Sequence, residues 1–370
     1  MKYYIIAGEA SGDLHASNLI KSIRQQDASA EFRGYGGNLS EAAGLHLVQH
    51  YKEISFMGFY EVFRNLGTLK KSIKNCKTDI TQWKPDVVIL VDFAGFNMRI
   101  AKFAKGINLK TYYYISPKIW AWNSGRVKGI KQYVDKMFCI LPFETEFYNR
   151  YDYKVDYVGN PVVDAVLAHK ANANFRTENG LDERPIIAVL PGSRRQEIEH
   201  LLHFMVSIIP PFMQNYQFVI AGMSNLPQEY YEKFRRHDTI RIVYDQTYDL
   251  LKQASVAIVT SGTATLETAM FNVPQVVCYR TSEITYAIAR SFIKVKYISL
   301  VNLIANKLIV KELIQDEFNP SNLSAELKAL LNNEEYRANV LKGYAEIQQV
   351  LGTESASDKT ANLILKYLKA

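Results

Sequence analysis

The feature that most limits what this chain can fold into is a repeated alternation of short apolar runs with longer helical stretches. Residues 3–7, 87–91, 111–115 and 136–140 are nearly continuous apolar or β-branched runs closed by turn residues, the signature of parallel strands buried on both faces. Between them, stretches such as 14–24 and 69–83 carry apolar residues at helical spacing. The polar, Asn- and Ala-rich stretch 169–184 interrupts the pattern. A second series then follows at 186–190, 218–221, 240–243, 256–260 and 275–279. Strand–helix alternation of this kind predicts doubly wound parallel sheets. With 370 residues, 48% of them hydrophobic, the chain can fill two cores.

The expected fold is therefore α/β: two Rossmann-like, doubly wound domains facing across a cleft. The first is expected over residues 1–168 and the second over 185–349, with a linker near 165–185. The tail from about residue 325 reads as helical without further strands, and a C-terminal helix at about 350–370 is expected to pack back on the first domain. Ligands of open α/β sheets bind beyond the carboxyl ends of strands, so the loops at those ends are where chemistry is sought.

Basic residues exceed acidic ones by seven, a balance suited to anionic partners. The basic residues are scattered and no nucleic-acid-binding motif accompanies them, so no nucleic acid is expected, while an anionic lipid surface stays open. The three cysteines, Cys76, Cys139 and Cys278, form no Cys-x-x-Cys pair, which points to a reducing, cytoplasmic setting. The apolar run after Met1 is short and closed by Glu9, unlike a secretory leader. No run of about 18 apolar residues exists to span a membrane.

Two first-half loops carry candidate chemistry. Ala7-Gly8-Glu9-Ala10-Ser11-Gly12-Asp13 joins the first run to a helix without Walker or dinucleotide spacing. One reading is a tight turn with Ser11 or Asp13 as a cap. The other, favoured by the carboxylates Glu9 and Asp13 around small residues, is a sugar-hydroxyl site including Ser11 and Gly12. Gly34-Tyr35-Gly36-Gly37 reads only as a turn. Asp92, at the end of run 87–91, stands where a base could take the proton from an attacking hydroxyl; the alternative is a helix cap.

Second-half loops point to a nucleotide diphosphate. Pro191-Gly192-Ser193-Arg194 opens a helix after its strand, a setting for phosphate on N-terminal amides and an arginine fork. Ser261-Gly262-Thr263-Ala264 repeats the arrangement, and Glu267 lies one turn beyond Thr263, placed to accept both ribose hydroxyls. His46 and His50 have metal-like spacing but apolar neighbours suggesting an amphipathic element, and Glu199-His200-Leu201-Leu202-His203 lacks the remainder of a zinc motif. No metal is expected. Residues 56–66, with Phe56, Met57, Phe59, Val62, Phe63 and Leu66, are dense in large apolar groups and precede Lys70, Lys71 and Lys74. They read either as a core helix or as a membrane-interface element, with Trp120 and Trp122 as candidate companions.

In this order and spacing, the motifs resemble the lipid-A-disaccharide synthase family nearly end to end. The resemblance rests on residues 7–13, Met57-Gly58 with Glu61-Val62, Lys84-Pro85-Asp86, and Ser116-Pro117 with Trp120-Ala121-Trp122. It continues through Leu141-Pro142-Phe143-Glu144, Leu190-Pro191-Gly192-Ser193-Arg194, Ser261-Gly262-Thr263-Ala264 with Glu267, and Asn302-Leu303-Ile304-Ala305. It implies a metal-independent, inverting glycosyltransferase of GT-B architecture without a cofactor. The implied reaction moves 2,3-diacylglucosamine from UDP-2,3-diacylglucosamine to 2,3-diacylglucosamine 1-phosphate through a β-1,6 link. The family's essential aspartate, arginine and asparagine fall on Asp92, Arg194 and Asn302. Its Asp-x-Pro-x-Phe-Asn pattern also covers Asn97, with Ala94 where proline is usual. Its apolar docking segment falls on residues around 56–69, Leu69 included, implying peripheral association with the inner membrane. A homodimer is left open. The rival readings are another GT-B enzyme using a UDP-sugar, either a soluble-acceptor transferase or an epimerase, and a non-catalytic UDP-sugar sensor.

Overall fold

The computed structural model describes residues 1–54, 66–224, 226–234, 240–283, 286, 290 and 295–370. They form two compact units, Met1–Asp164 with Thr353–Ala370, and Ala165–Gly352.

The first unit holds seven parallel strands: β1 (Lys2–Ala7), β2 (Glu31–Gly36), β3 (Leu45–His50), β4 (Val87–Val91), β5 (Lys110–Tyr114), β6 (Lys136–Cys139) and β7 (Asp156–Tyr157). Their order is β3-β2-β1-β4-β5-β6-β7. Alternate residues of one strand enter opposite cores, as the two-residue strand period demands. Tyr3, Ile5, Val87, Ile89 and Val91 join the core under helices Ala10–Gln26 and Ala356–Lys369. Tyr4, Ile6, Val88 and Leu90 join the core under helices Leu66–Trp83 and Ala94–Gly106. All of β4 is buried, and each large aliphatic side chain so buried contributes roughly 1.5–3 kcal/mol. A charge at Ile89 would have no compensating partner there and would break the sheet.

Helix Ala356–Lys369 inserts Ala361, Ile364 and Leu365 into the first unit's core. Asp164 anchors its start by accepting from Ala356 N at 2.9 Å, Ser357 N at 3.2 Å and Ser355 Oγ at 3.2 Å. Its negative charge suits a helix N-terminus.

The second unit holds β8 (Ile186–Leu190), β9 (Gln217–Gly222), β10 (Ile240–Tyr244), β11 (Ala254–Thr260), β12 (Gln275–Tyr279) and β13 (Glu312–Ile314), in order β10-β9-β8-β11-β12-β13. All pairings are parallel.

The structure departs from the sequence expectations in three places. Four strands lack a continuous apolar run: β3, β7 and β13 at sheet edges, and β2 between β3 and β1, where Gly34, Tyr35 and Gly36, expected to form a turn, belong to the strand. His46 and His50 belong to β3, not to a helical face. The stretch 169–184 is folded chain: Phe175 is fully buried in the second unit's core, and Asp249 accepts from Asn172 N at 2.7 Å.

Candidate active site

Each sheet reverses its strand order at one adjacent pair, β1/β4 in the first and β8/β11 in the second. Such a switch point splays the loops leaving the two strands and opens space for a ligand. Ala7 pairs with Val91, and Leu190 with Val259. The candidate loops therefore leave their sheets side by side: 8–13 with 92–97 in the first unit, 191–194 with 261–264 in the second.

In the first unit, helix Ala10–Gln26 begins directly after Glu9, so Ser11, Gly12 and Asp13 occupy its first turn. Ser11 is exposed, whereas Gly12 and Asp13 are buried. The Asp13 carboxylate accepts from the backbone of Gly37 at 2.7 Å, Leu39 at 3.1 Å and Ser40 at 3.1 Å. It caps the neighbouring helix Asn38–Ala42 and thereby fixes Gly37, which joins β2 to that helix. Hydrogen bonds to a buried charge contribute about 1.5–3 kcal/mol each, so this is a framework role.

Asp92 and Phe93 are consecutive left-handed residues, at φ 45° and 48°. Non-glycine residues adopt this conformation at a cost of about 1–3 kcal/mol each and hold it only where the surroundings enforce it. Three groups do so. The Asn97 amide donates to the Asp92 carbonyl at 2.7 Å and to that of Val91 at 3.2 Å. The Tyr113 hydroxyl donates to the same Asp92 carbonyl. The Phe93 ring lies where a side chain on Gly8 would be, 2.1 Å from an added Cβ, so only glycine fits opposite it. Ala94 is the first residue of helix Ala94–Gly106, a position that needs no N–H and so suits proline or alanine.

Burial pushes the Asp92 carboxyl above its ordinary value, and the Lys118 ammonium and the Phe93 N–H act against that rise. A carboxylate with a raised pKa is a stronger base than a free one. Asn97 is fully buried, so it shapes the turn that carries Asp92.

Glu144, noticed in the sequence only as part of a motif, proves central to the first unit. It is buried and accepts from Ser116 Oγ, Trp120 Nε1 at 3.1 Å, Ile140 N at 3.2 Å and Leu141 N at 3.0 Å. It thus fastens the loop after β5 to the end of β6. Burial pushes its carboxyl up to about 7 against those four donors. No periodicity in the sequence marks this link, because the partners lie up to 28 residues apart.

In the second unit, Gly192 is left-handed at φ 98°, and an added Cβ would meet Glu197 Oε2 at 2.4 Å. Ser193 and Arg194 are exposed. Arg194 caps helix Arg195–Ser207 and folds back on Glu197 at 3.2 Å. Such an exposed pair is worth less than about 1 kcal/mol, so the guanidinium exchanges partners readily. Gly262 and Thr263 are exposed at the start of helix Thr263–Met270, with Ala264 half-buried; its first-turn N–H groups lack intrahelical acceptors. Glu267 lies on that helix and accepts from the Tyr248 hydroxyl at 3.0 Å.

Asn302 is fully buried and its amide is wholly committed. Oδ1 accepts from Ile309 N at 2.8 Å and Val310 N at 3.0 Å, while Nδ2 donates to Val310 O at 2.9 Å and Glu312 Oε1 at 2.8 Å. Glu312 also accepts from Ser299 Oγ at 2.7 Å and Ile298 N at 3.0 Å. Ser261 Oγ donates to Ile298 O at 2.9 Å. This network joins Asn302 to the Ser261 loop; what Asn302 supplies is the loop's shape.

Phe56, Met57, Phe59, Val62 and Phe63 lie outside the described residues. Leu66 begins helix Leu66–Trp83. Leu69, expected in the docking segment, packs against the core instead. It shares a face with Ile73, Cys76 and Ile80 at helical spacing, while Lys70, Lys71 and Lys74 are exposed.

Two doubly wound parallel-sheet units place the chain in the GT-B class of α/β folds. The S. aureus MnaA–UDP co-structure shares the fold at a TM-score of 0.66 and 16% identity, covering 100% of this chain and 97% of that one. The calicheamicin glycosyltransferase CalG4 does so at 0.63 and 13%, covering 100% and 98%. The family model described as lipid-A-disaccharide synthetase matches residues 3–365. The lipid-A-disaccharide synthase of Geobacter metallireducens is 35% identical over 98% of this chain and 96% of its own length. That of Myxococcus xanthus is 36% identical over 98% and 97%. The chain belongs to the lipid-A-disaccharide synthase family, and is accordingly a hexosyltransferase.

Proposed function

We propose that the chain transfers 2,3-diacylglucosamine from UDP-2,3-diacylglucosamine to the 6-hydroxyl of 2,3-diacylglucosamine 1-phosphate, by direct inverting displacement with Asp92 as base. The observation that carries the assignment is Asp92 itself, a carboxylate at the end of a buried strand, held in a braced left-handed turn and made more basic by burial. As the acceptor oxygen bonds to the anomeric carbon, its proton passes to Asp92. The bond from that carbon to the diphosphate oxygen breaks, its electron pair leaves with UDP, and the configuration inverts to β.

UDP is assigned to the second unit. Arg194 and the amides near Thr263 meet the charge growing on the diphosphate, as preorganised donors should, and Glu267 takes the ribose. UDP in the MnaA co-structure supports the choice of nucleotide. No step of this mechanism uses a metal. Glu9 and the exposed Ser11 orient a sugar at the turn that Gly12 and Asp13 shape.

Among the described residues, no helix is long and apolar enough to cross a membrane. We assign the approach to the lipid substrates to residues 56–66, beside the exposed Lys70, Lys71 and Lys74, acting at the cytoplasmic face of the inner membrane. Flotation with anionic vesicles should bring the protein up, and replacement of the three lysines by glutamine should reduce that; unchanged flotation would remove the basic fringe from the assignment.

The test of the transfer reaction is incubation with both lipid substrates and mass analysis for the disaccharide 1-phosphate and UDP. Asp92→Asn should retain UDP binding and lose most turnover, on the order of 10²–10⁴-fold for a general base. Near-normal turnover in that variant would remove Asp92 from the role.

A further inference from the structure

The Glu267 carboxylate presents an unfinished hydrogen-bond arrangement. It is half-buried, burial raises its pKa, and the Tyr248 hydroxyl acts against that rise. Among the described residues, that hydroxyl is the carboxylate's one hydrogen-bond partner, on Oε1 at 3.0 Å. A half-buried carboxylate with one protein donor has accepting capacity left on both oxygens, open to the donors of a ligand.

Tyr248, on helix Thr247–Gln253, is wedged in place. Its ring meets the edge of His169 at 5.5 Å and 89°, and Phe271 at 5.2 Å. His169 is held in turn by Asp249, Nε2 to Oδ1 at 3.1 Å, and packs on Phe271 at 6.1 Å. A phenol so confined points its one donor in a fixed direction and freezes the carboxylate that accepts it. Freezing a side chain before binding lowers the entropy lost on binding.

We propose that Tyr248 is a positioning residue that locks Glu267 for a vicinal diol, so that the site selects ribonucleotides over 2′-deoxyribonucleotides. The inference rests on Glu267 as the ribose contact. With Tyr248 fixing the carboxylate plane, each oxygen accepts one of two adjacent hydroxyls. Loss of either hydroxyl leaves an oxygen short of a donor, and such a site discriminates by more than its contact area suggests.

The test is calorimetric titration of the full chain with UDP and with 2′-deoxy-UDP. The wild type should prefer UDP by about tenfold or more, since a site built to accept a hydroxyl rejects the analogue lacking it. Tyr248→Phe keeps the ring and removes the donor; it should shrink that preference to about threefold or less, mainly by weakening UDP. Phe271→Leu, which loosens the ring's wall and keeps the phenol, should shrink it partway. Glu267→Gln separates the two levels. If it leaves the preference intact, Glu267 is not the ribose contact and both readings fall. If it abolishes the preference while Tyr248→Phe retains it, or weakens both ligands equally, Tyr248 has only a structural role and this proposal alone is overturned.

Discussion

The side-chain amide of Asn97 donates to the backbone carbonyl of Asp92 at 2.7 Å, from the helix that begins two residues after Asp92. The pose of the acidic side chain is thereby set by a residue with no exposure of its own. Removing the amide by Asn97→Ala leaves buried carbonyls short of a donor, a loss of about 1–3 kcal/mol of stability. Turnover should fall at least tenfold, with the affinity for UDP, assigned to the other unit, little changed. Denaturant melts, disaccharide synthesis and UDP titration on one preparation check this; a destabilised variant with wild-type turnover would detach Asn97 from the turn's function.

Asp92 must be ionised to accept a proton, and burial raises its pKa. The profile of kcat/KM against pH should therefore fall on the acid side through a limb above the range of an ordinary aspartate. Lys118 favours the ionised form, so Lys118→Met should move that limb to higher pH. A shift to lower pH, or a limb unmoved at low ionic strength, contradicts the electrostatic argument.

Glu144 should leave a mark on stability. Its folded carboxyl is pushed from 4.5 up to about 7, so the folded chain holds this proton more tightly than the unfolded chain between those values. The stability it contributes is full below the unfolded value and is lost as pH rises through about 7, up to roughly 3 kcal/mol. Denaturant melts from pH 4 to 8 should show a downward trend in the wild type that is absent from Glu144→Gln. Parallel curves for the two proteins would count against it.

Asn302→Ala would strip partners from Ile309 N, Val310 N, Val310 O and Glu312. We expect a loss of about 2–4 kcal/mol, several buried groups being left unsatisfied together, and weaker UDP binding through the Ser261 loop. Because the side chain has no spare donor or acceptor, saturating UDP-2,3-diacylglucosamine should restore wild-type kcat. A variant of full stability with impaired kcat at saturation would instead mean direct contact with the ligand.

The central strands were legible because being buried on both faces forces a continuous apolar run: β4, β8 and β12 begin and end where their runs do. β2, β3, β7 and β13 were not: β2 is interior yet reads Glu-Phe-Arg-Gly-Tyr-Gly, His46 and Asp156 keep contact with water, and the buried Glu312 is carried by its hydrogen bonds. The loops were legible as small and charged residues at strand ends. Their individual jobs were not: Asp13 and Glu9 look equivalent in sequence, yet Asp13 caps a neighbouring helix.

By itself, the sequence determined the strand–helix alternation, the two-unit architecture and, through its ordered motifs, the family. These are properties of local pattern, and hydrophobic burial acts on local pattern directly. Only the tertiary structure decided that Asn97 and Tyr113 brace Asp92, that Glu144 ties together Ser116, Trp120 and Leu141, and that Tyr248 holds Glu267. The bonds of Tyr113, Ser116, Trp120 and Tyr248 join residues on different elements, and their distance and direction exist only once the sheets have brought those elements together; those of Asn97 and Leu141 are local and depend on how each loop enters its helix.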